Sequence, residues 1–309
     1  IPAVIVLIVV GLWGLFSWTV HSSNRQPSDL VAALQRPSVH RGQTQMELAD
    51  VMRNPRYADF LEDRKSAQIL AGLLNDELDR GNSAGAMEDD AITFRYFLCR
   101  TLGEFHVPDG LPALCRAALT NRDEREEIVQ RGAIEGIAVL AQHQHERGTP
   151  ETLEDPKLLD TLTQTSRDED ELVRRVTAYA LGRIRTPEAE QLLEVLVDDP
   201  GSDTRFNAAR GLAAMGNPKG YDALVEMLDA SEMSYLEGET KTKAKNMKRA
   251  LLLKNGQEGI QALLDAGVEI DLAPVREQLQ QIAIASPEEL TEWHVHPRMV
   301  TEAKRMLRE

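Results

Sequence analysis

The sequence predicts an all-α chain, a stacked solenoid of helix pairs preceded by a single transmembrane helix. Three observations predict it. A helical segment, "VRRVTAYALGRI" at residues 173–184, recurs as "TRFNAARGLAAM" at 204–215, with small residues in matching places. Aromatic residues make up only 5% of the chain while Ala, Leu, Glu and Arg abound; these lose little rotamer freedom in a helix. Runs of Val, Ile, Thr and Tyr are nearly absent after the first twenty residues, which leaves little from which to build a sheet.

The opening stretch, "IPAVIVLIVVGLWGLFSWTV" (1–20), carries no charge. Twenty helical residues reach about 30 Å, the thickness of a bilayer hydrocarbon core. Trp13, Phe16 and Trp18 lie toward its polar end, where aromatics anchor a spanning helix at the interface. No small-residue cleavage pattern follows, so the segment reads as an anchor and not a removable signal. Residues 21–43 are polar and broken by Pro27 and Pro37, with one short helix from Ser28, and read as a tether.

From residue 44 to 267 the chain is a repeat. Five segments share one register: 94–105, 129–140, 173–184, 204–215 and, degraded, 243–254. Their anchoring apolar residues are Leu102, Ile137, Leu181, Leu212 and Leu251, and Leu48 takes that place in a weaker first copy. One position earlier stand Thr101, Gly136, Ala180, Gly211 and Ala250, all small. A small column inside amphipathic helices means close packing against a neighbouring helix, which offsets the roughly 1 kcal/mol of propensity each Gly costs. A turn and a second apolar helix follow each copy, and acidic clusters such as Asp168-Glu169-Asp170 precede the next, where they cap its N-terminus. Residues 268–309 read as closing helices, with a Ser286/Glu289 capping box and Trp293 packing the last helix onto the stack.

The pattern V-R-x-x-A-x-x-A-L-G behind an Asp-rich turn resembles HEAT repeats, and more narrowly the short HEAT-like repeats of phycobilisome-lyase type. Val173, Arg174, Ala180, Leu181 and Gly182 match it, continued by Arg205 and Leu212 and, earlier, by Arg95, Leu102 and Gly103. Gln130 replaces the family's Arg in one copy and Ala244 in the last. The resemblance implies an α-solenoid, with Arg95, Arg174 and Arg205 paired to acids in the turns between repeats. It also implies that the second helix of each pair lines a concave surface.

Two columns on that surface are rich in Arg and aromatics. One reads Arg100, Glu135, Tyr179, Arg210 and Arg249; the column four residues earlier reads Tyr96, Arg131, Arg175, Phe206 and Lys245. These residue types carry interface energy, so Tyr96, Arg100, Arg131, Arg175, Tyr179, Arg210, Lys245 and Arg249 are the candidate partner-binding residues. The alternative is a solvated face whose charges pair within the helix layer.

The remaining chemistry is sparse. The formal charge of −15 disfavours nucleic acid as a partner, since phosphate neutralisation needs clustered cations. Cys99 and Cys115 read as small buried hydrophobes. Two H-x-H pairs, His143/His145 and His294/His296, cannot share a metal on a helix, and read as exposed helix-end or loop residues. P-loops, nucleophile elbows, HExxH and EF-hand patterns are missing, so neither an enzyme nor a cofactor is expected.

The expected function is a non-catalytic, membrane-anchored scaffold or accessory subunit of a membrane protein complex. Its partners would be other protein subunits, and the lipid bilayer through residues 1–20. The short repeat type points to a bacterial inner membrane, with the solenoid outside the cytoplasm. The alternative is a membrane-tethered lyase-type enzyme acting on a tetrapyrrole or protein-bound cofactor.

Overall fold

The computed structural model describes residues 25–36, 38, 40–81, 89–120, 124–149, 153 and 155–308. The charge-free segment 1–20, with Trp13, Phe16 and Trp18, lies outside the described residues. No described helix is long and apolar enough to cross a membrane.

Among the described residues the chain is helical and has no strand. An N-terminal pair, α1 (Pro27–Leu34) and α2 (Arg41–Met52), precedes five more. These are α3 (Arg64–Arg80) with α4 (Asp89–Gly103), α5 (Leu111–Ala118) with α6 (Glu127–Glu146), and α7 (Pro156–Thr165) with α8 (Glu171–Ile184). There follow α9 (Pro187–Leu196) with α10 (Ser202–Ala214), and α11 (Tyr221–Glu226) with α12 (Thr242–Asp265). Three helices close the chain: α13 (Ala273–Ile284), α14 (Pro287–Glu292) and α15 (Pro297–Met306). The second helices α4, α6, α8, α10 and α12 pack each on the next in one layer; α3, α5, α7 and α9 form the other. This is the two-layer stack of an α-solenoid.

Local chemistry sets the starts. Asp155, Asp170 and Thr186 each accept from a backbone N–H of the first turn of α7, α8 and α9, at 2.8, 2.8 and 3.2 Å. Pro156 and Pro187 sit where a missing N–H is harmless. The Ser286/Glu289 box is formed as expected, with Glu289 N donating to Ser286 Oγ at 3.2 Å and Ser286 N to Glu289 Oε2 at 2.7 Å.

The small column does what its composition requires. A Cβ added to Gly103 would lie 2.6 Å from Gly136 Cα, and one on Gly182 would lie 2.9 Å from Gly211 Cα. Helices α4 and α6, and then α8 and α10, thus meet backbone to backbone. Cys99 and Cys115 are buried, as expected; burial raises both thiols, Cys115 to about 11.

An arginine ladder ties the turns. Arg95 Nη1 donates to the Glu77 carbonyl at 3.0 Å and its guanidinium pairs with Glu126 at 3.1 Å. Arg174 donates to the carbonyls of Asp168 and Glu169 and pairs with Asp199. Arg205 repeats this on the carbonyls of Asp199 and Pro200 and on Glu226. Gln130 keeps the rung without the charge, Nε2 donating to Asp168 Oδ2 at 3.2 Å. Each of the three arginine rungs joins a carbonyl at or just past the end of its first helix to a carboxylate one repeat later.

The last copy is shifted from the sequence register. Arg249, placed by periodicity on the exposed face, is fully buried and donates to the carbonyls of Asp229, Glu232 and Trp293 at 3.0, 2.6 and 3.0 Å. It is the ladder arginine of this copy, five residues beyond Ala244, and Leu251 is 56% exposed instead of anchoring. The packing matches this shift: Gly256 and Gly259 let α12 close on Leu224 of α11.

Two further segments contribute to the core. Within the stretch read as a tether, α1 buries Leu30, Val31 and Leu34 against the body of the protein. The insertion 231–243 folds a 3₁₀ turn, Ser234–Leu236, with Leu236 buried. Residues 82–88, and part of the stretch 147–156, lie outside the described residues.

Candidate functional site

The free face of the second-helix layer is set by the ladder. Side chains one and five residues past each ladder position point away from the first helices and stand half-exposed. Tyr96, Arg131 and Arg175 occupy the first column; Arg100, Glu135, Tyr179 and Arg210 occupy the second. The structure therefore brings six of the eight predicted residues onto one face. Lys245 is half-exposed near the C-terminal cap, and Arg249 is removed from the face by the register shift above. Phe206, expected in the first column, is buried because the 231–243 insertion folds back over it. Tyr235 meets Phe206 edge to face, with ring centroids 5.1 Å apart.

Three of the arginines are neutralised within the layer. Arg100 pairs with Glu135 of the next second helix at 2.5 Å, Arg131 with Asp170 at 3.4 Å, and Arg175 with Asp203 at 3.4 Å. At the α2 end, an apolar groove of about 590 Å³ lies between α2 and α4, lined by Met46, Met52, Tyr96 and Phe97 with Arg53 and Arg100 at its edges.

A second concavity, of about 90 Å³, lies where α8 crosses α10. Tyr179, Arg183, Arg185, Asn207 and Arg210 line it, with the close-packed Gly182 and Gly211 as its floor. Arg183 stacks over Tyr179, its Cζ 5.0 Å from the ring centroid. Burial, reinforced by the charge of Arg183, holds the Arg210 guanidinium below the usual arginine range. Arg185 closes α8 in the left-handed region, φ 56° and ψ 33°, its N–H donating to the Leu181 carbonyl. In the following repeat the same backbone position is Gly216, at φ 75°. Arg183 and Arg185 are absent from the sequence-predicted set. The signal that could have found them is the substitution of Arg for the helix-ending glycine between "RIRTP" and "AMGNP".

His143 and His145 lie in the last turn of α6 and are half-buried, while His294 and His296 lie in the loop between α14 and α15. His143 stacks on His106, with centroids 4.6 Å apart, and His145 Nε2 lies 2.8 Å from the Ile184 carbonyl, at the end of α8. Burial first, and then His106, hold the His143 imidazole below its ordinary pKa. Among the described residues no group of three or more His, Cys, Asp or Glu could hold a metal ion.

No curated protein matches the chain. Among solved structures it is similar to an engineered protein, at 18% identity over 75% of this chain and 96% of that one, with a TM-score of 0.39. It is also similar to YibA of Escherichia coli, at 19% identity over 89% of this chain and 98% of that one, with a TM-score of 0.38. The family model for HEAT repeats matches residues 156–239, the stretch from α7 through α11 that holds Arg174 and Arg205.

Proposed function

We propose that the chain is a non-catalytic scaffold or accessory subunit of a membrane protein complex, held at the bilayer by residues 1–20. On this reading it binds a protein partner along the free face of its second helices. The observation that carries the reading is that face itself. Tyr96, Arg100, Arg131, Arg175, Tyr179 and Arg210 line up on consecutive repeats beside an apolar groove. Repeats used only for packing need no aromatic and arginine columns on their outer side, whereas interfaces are enriched in both.

Native mass spectrometry of the detergent-extracted protein tests this. A protein subunit in fixed stoichiometry is the expected result. The variant Y96A/R100E/R131E/R175E, with an unchanged thermal unfolding midpoint, should lose it. A lone chain that turns over a substrate would overturn the reading, as would a variant that retains the partner in full.

A further inference from the structure

We propose that Arg183, Arg185 and Arg210 form a receptor for a carboxylate carried by an acidic segment of the partner, with Tyr179 and Asn207 completing its wall. This deepens the partner-binding reading and rests on it.

The first ground is charge. In a chain with 50 acidic against 35 basic residues, three arginines line one small concavity that no carboxylate lines, Arg185 Nε donating there to the Gly182 carbonyl at 3.4 Å. Elsewhere on this face each arginine of the two columns is matched by an acid from the neighbouring helix, at 2.5 to 3.4 Å. Among the described residues neither Arg183, Arg185 nor Arg210 has a carboxylate within ion-pair distance. Two acids in the neighbourhood are committed elsewhere. Glu146, beside Arg183 and Arg185 in an adjoining groove, accepts from Gln142 at 2.7 Å and faces His143 at 3.8 Å. Glu258 pairs with Lys254 at 3.5 Å.

The second ground is the backbone. An L-residue in the left-handed region is strained by about 1 kcal/mol or more, and the next repeat uses Gly216 there. Holding an arginine at such a position directs a third cation into the concavity at a cost to stability.

The third ground is size and stiffness. About 90 Å³ is far below the roughly 300 Å³ or more of a small-molecule site, and suits one oxyanion group. The floor of crossed glycine backbones cannot yield. Arg183 is held against the Tyr179 ring, so little side-chain freedom is lost when its planar fork meets a carboxylate. The carboxylates already taken by Arg100, Arg131 and Arg175 show the chemistry this face uses. A partner supplying one more would continue the series across α8 and α10.

The test uses the full chain, with a fluorescein-labelled poly-glutamate peptide as probe and poly-glutamine as control, read by anisotropy. The wild type should bind poly-glutamate in a salt-sensitive manner. R183A/R210A should weaken it at least about tenfold, the scale of lost charge-assisted hydrogen bonds. R185G should weaken it while its thermal midpoint holds or rises, which separates lost binding from lost folding. R298A, the same single loss of charge as R185G but on α15, should leave the affinity unchanged. Equal binding of the two peptides, or unchanged affinity in both R183A/R210A and R185G, would overturn the proposal. So would displacement of the peptide by inorganic phosphate at matched concentration, which would make the site one for free oxyanions. If partner capture depends on Tyr96, Arg100, Arg131 and Arg175 while poly-glutamate does not bind, only this inference fails.

Discussion

Arg174 reaches across a repeat boundary to Asp199 with two prongs, Nε to Oδ2 at 2.7 Å and Nη2 to Oδ1 at 3.2 Å. The same guanidinium donates to the carbonyls of Asp168 and Glu169 at 2.9 and 3.0 Å. One side chain thus gathers the end of one first helix and the turn that follows the next.

Arg174→Ala should therefore lower the unfolding free energy by about 2–3 kcal/mol, because Asp199, its carboxylate only 6% exposed, is left without its partner. Arg174→Lys should recover less than half of that, since an ammonium cannot make the two-pronged pair and reach the carbonyls too. Urea denaturation measures both. A loss below roughly 0.5 kcal/mol, the level of an ordinary surface pair, would remove the ladder from the account.

Two glycines in helices should respond in opposite directions. Gly103→Ala would place a Cβ 2.6 Å from Gly136 Cα and 2.7 Å from its carbonyl oxygen. Backbone cannot swing aside as a side chain can, so α4 and α6 must separate, at about 1–3 kcal/mol. Gly72, within α3, has open space where a methyl would stand, with nothing within 4 Å. Gly72→Ala should stabilise by roughly 0.5–1 kcal/mol through helix propensity. Thermal unfolding of the two variants should move in opposite senses.

Arg249→Leu should be the most damaging of the arginine substitutions. It leaves the carbonyls of Asp229, Glu232 and Trp293 without their donor, a loss of about 3 kcal/mol or more. Because Trp293 belongs to the closing segment, limited proteolysis should release the C-terminal helices before the rest of the stack. A variant with wild-type stability and altered partner capture would return Arg249 to the binding face.

Acid should weaken the fold before its carboxylates titrate. Burial, then His106, hold the folded pKa of His143 below 6.5, against the opposite pull of Glu104 and Glu146. The unfolded chain accordingly takes up this proton first as pH falls. The contribution is whole above about pH 6.5 and is lost as pH drops through the folded value. His294, depressed by burial and then by Lys245 and Arg249, has the same sign. Urea titrations at about pH 7.5 and about pH 5.5 should show lower stability at the acid value, and H143Q/H294Q should flatten the difference. An equal dependence in the double variant would assign it to other groups.

The architecture was legible where the signal is local. A second helix that crosses its neighbour needs small residues every few positions on one stripe. Gly136, Ala180 and Gly211 display that need in the linear order, as Asp170 and Ser286 display the need of exposed N–H groups for a cap. The pairing of Arg95, Arg174 and Arg205 with acids followed from the resemblance, and their ion pairs with Glu126, Asp199 and Glu226 agree with it. Tyr179 and Arg210 could be singled out because they occupy positions the repeat leaves free.

Other residues answered to partners far along the chain. In α12 two registers have acceptable periodicity, and contact with Leu224 through Gly256 and Gly259 matches the one that buries Arg249. Phe206 shares the period of Arg175, yet the loop carrying Tyr235 folds over the first and not the second. Arg185 takes its meaning from a backbone dihedral, and its nearness to Arg210 arises only when α8 lies across α10. Helical periodicity and caps depend on neighbours within about four residues, so the order of residues settled the helix pairs and their inner stripe. Which charges remain without a partner on the outer face depends on carboxylates supplied by other repeats, and only the stacking of those repeats decided it.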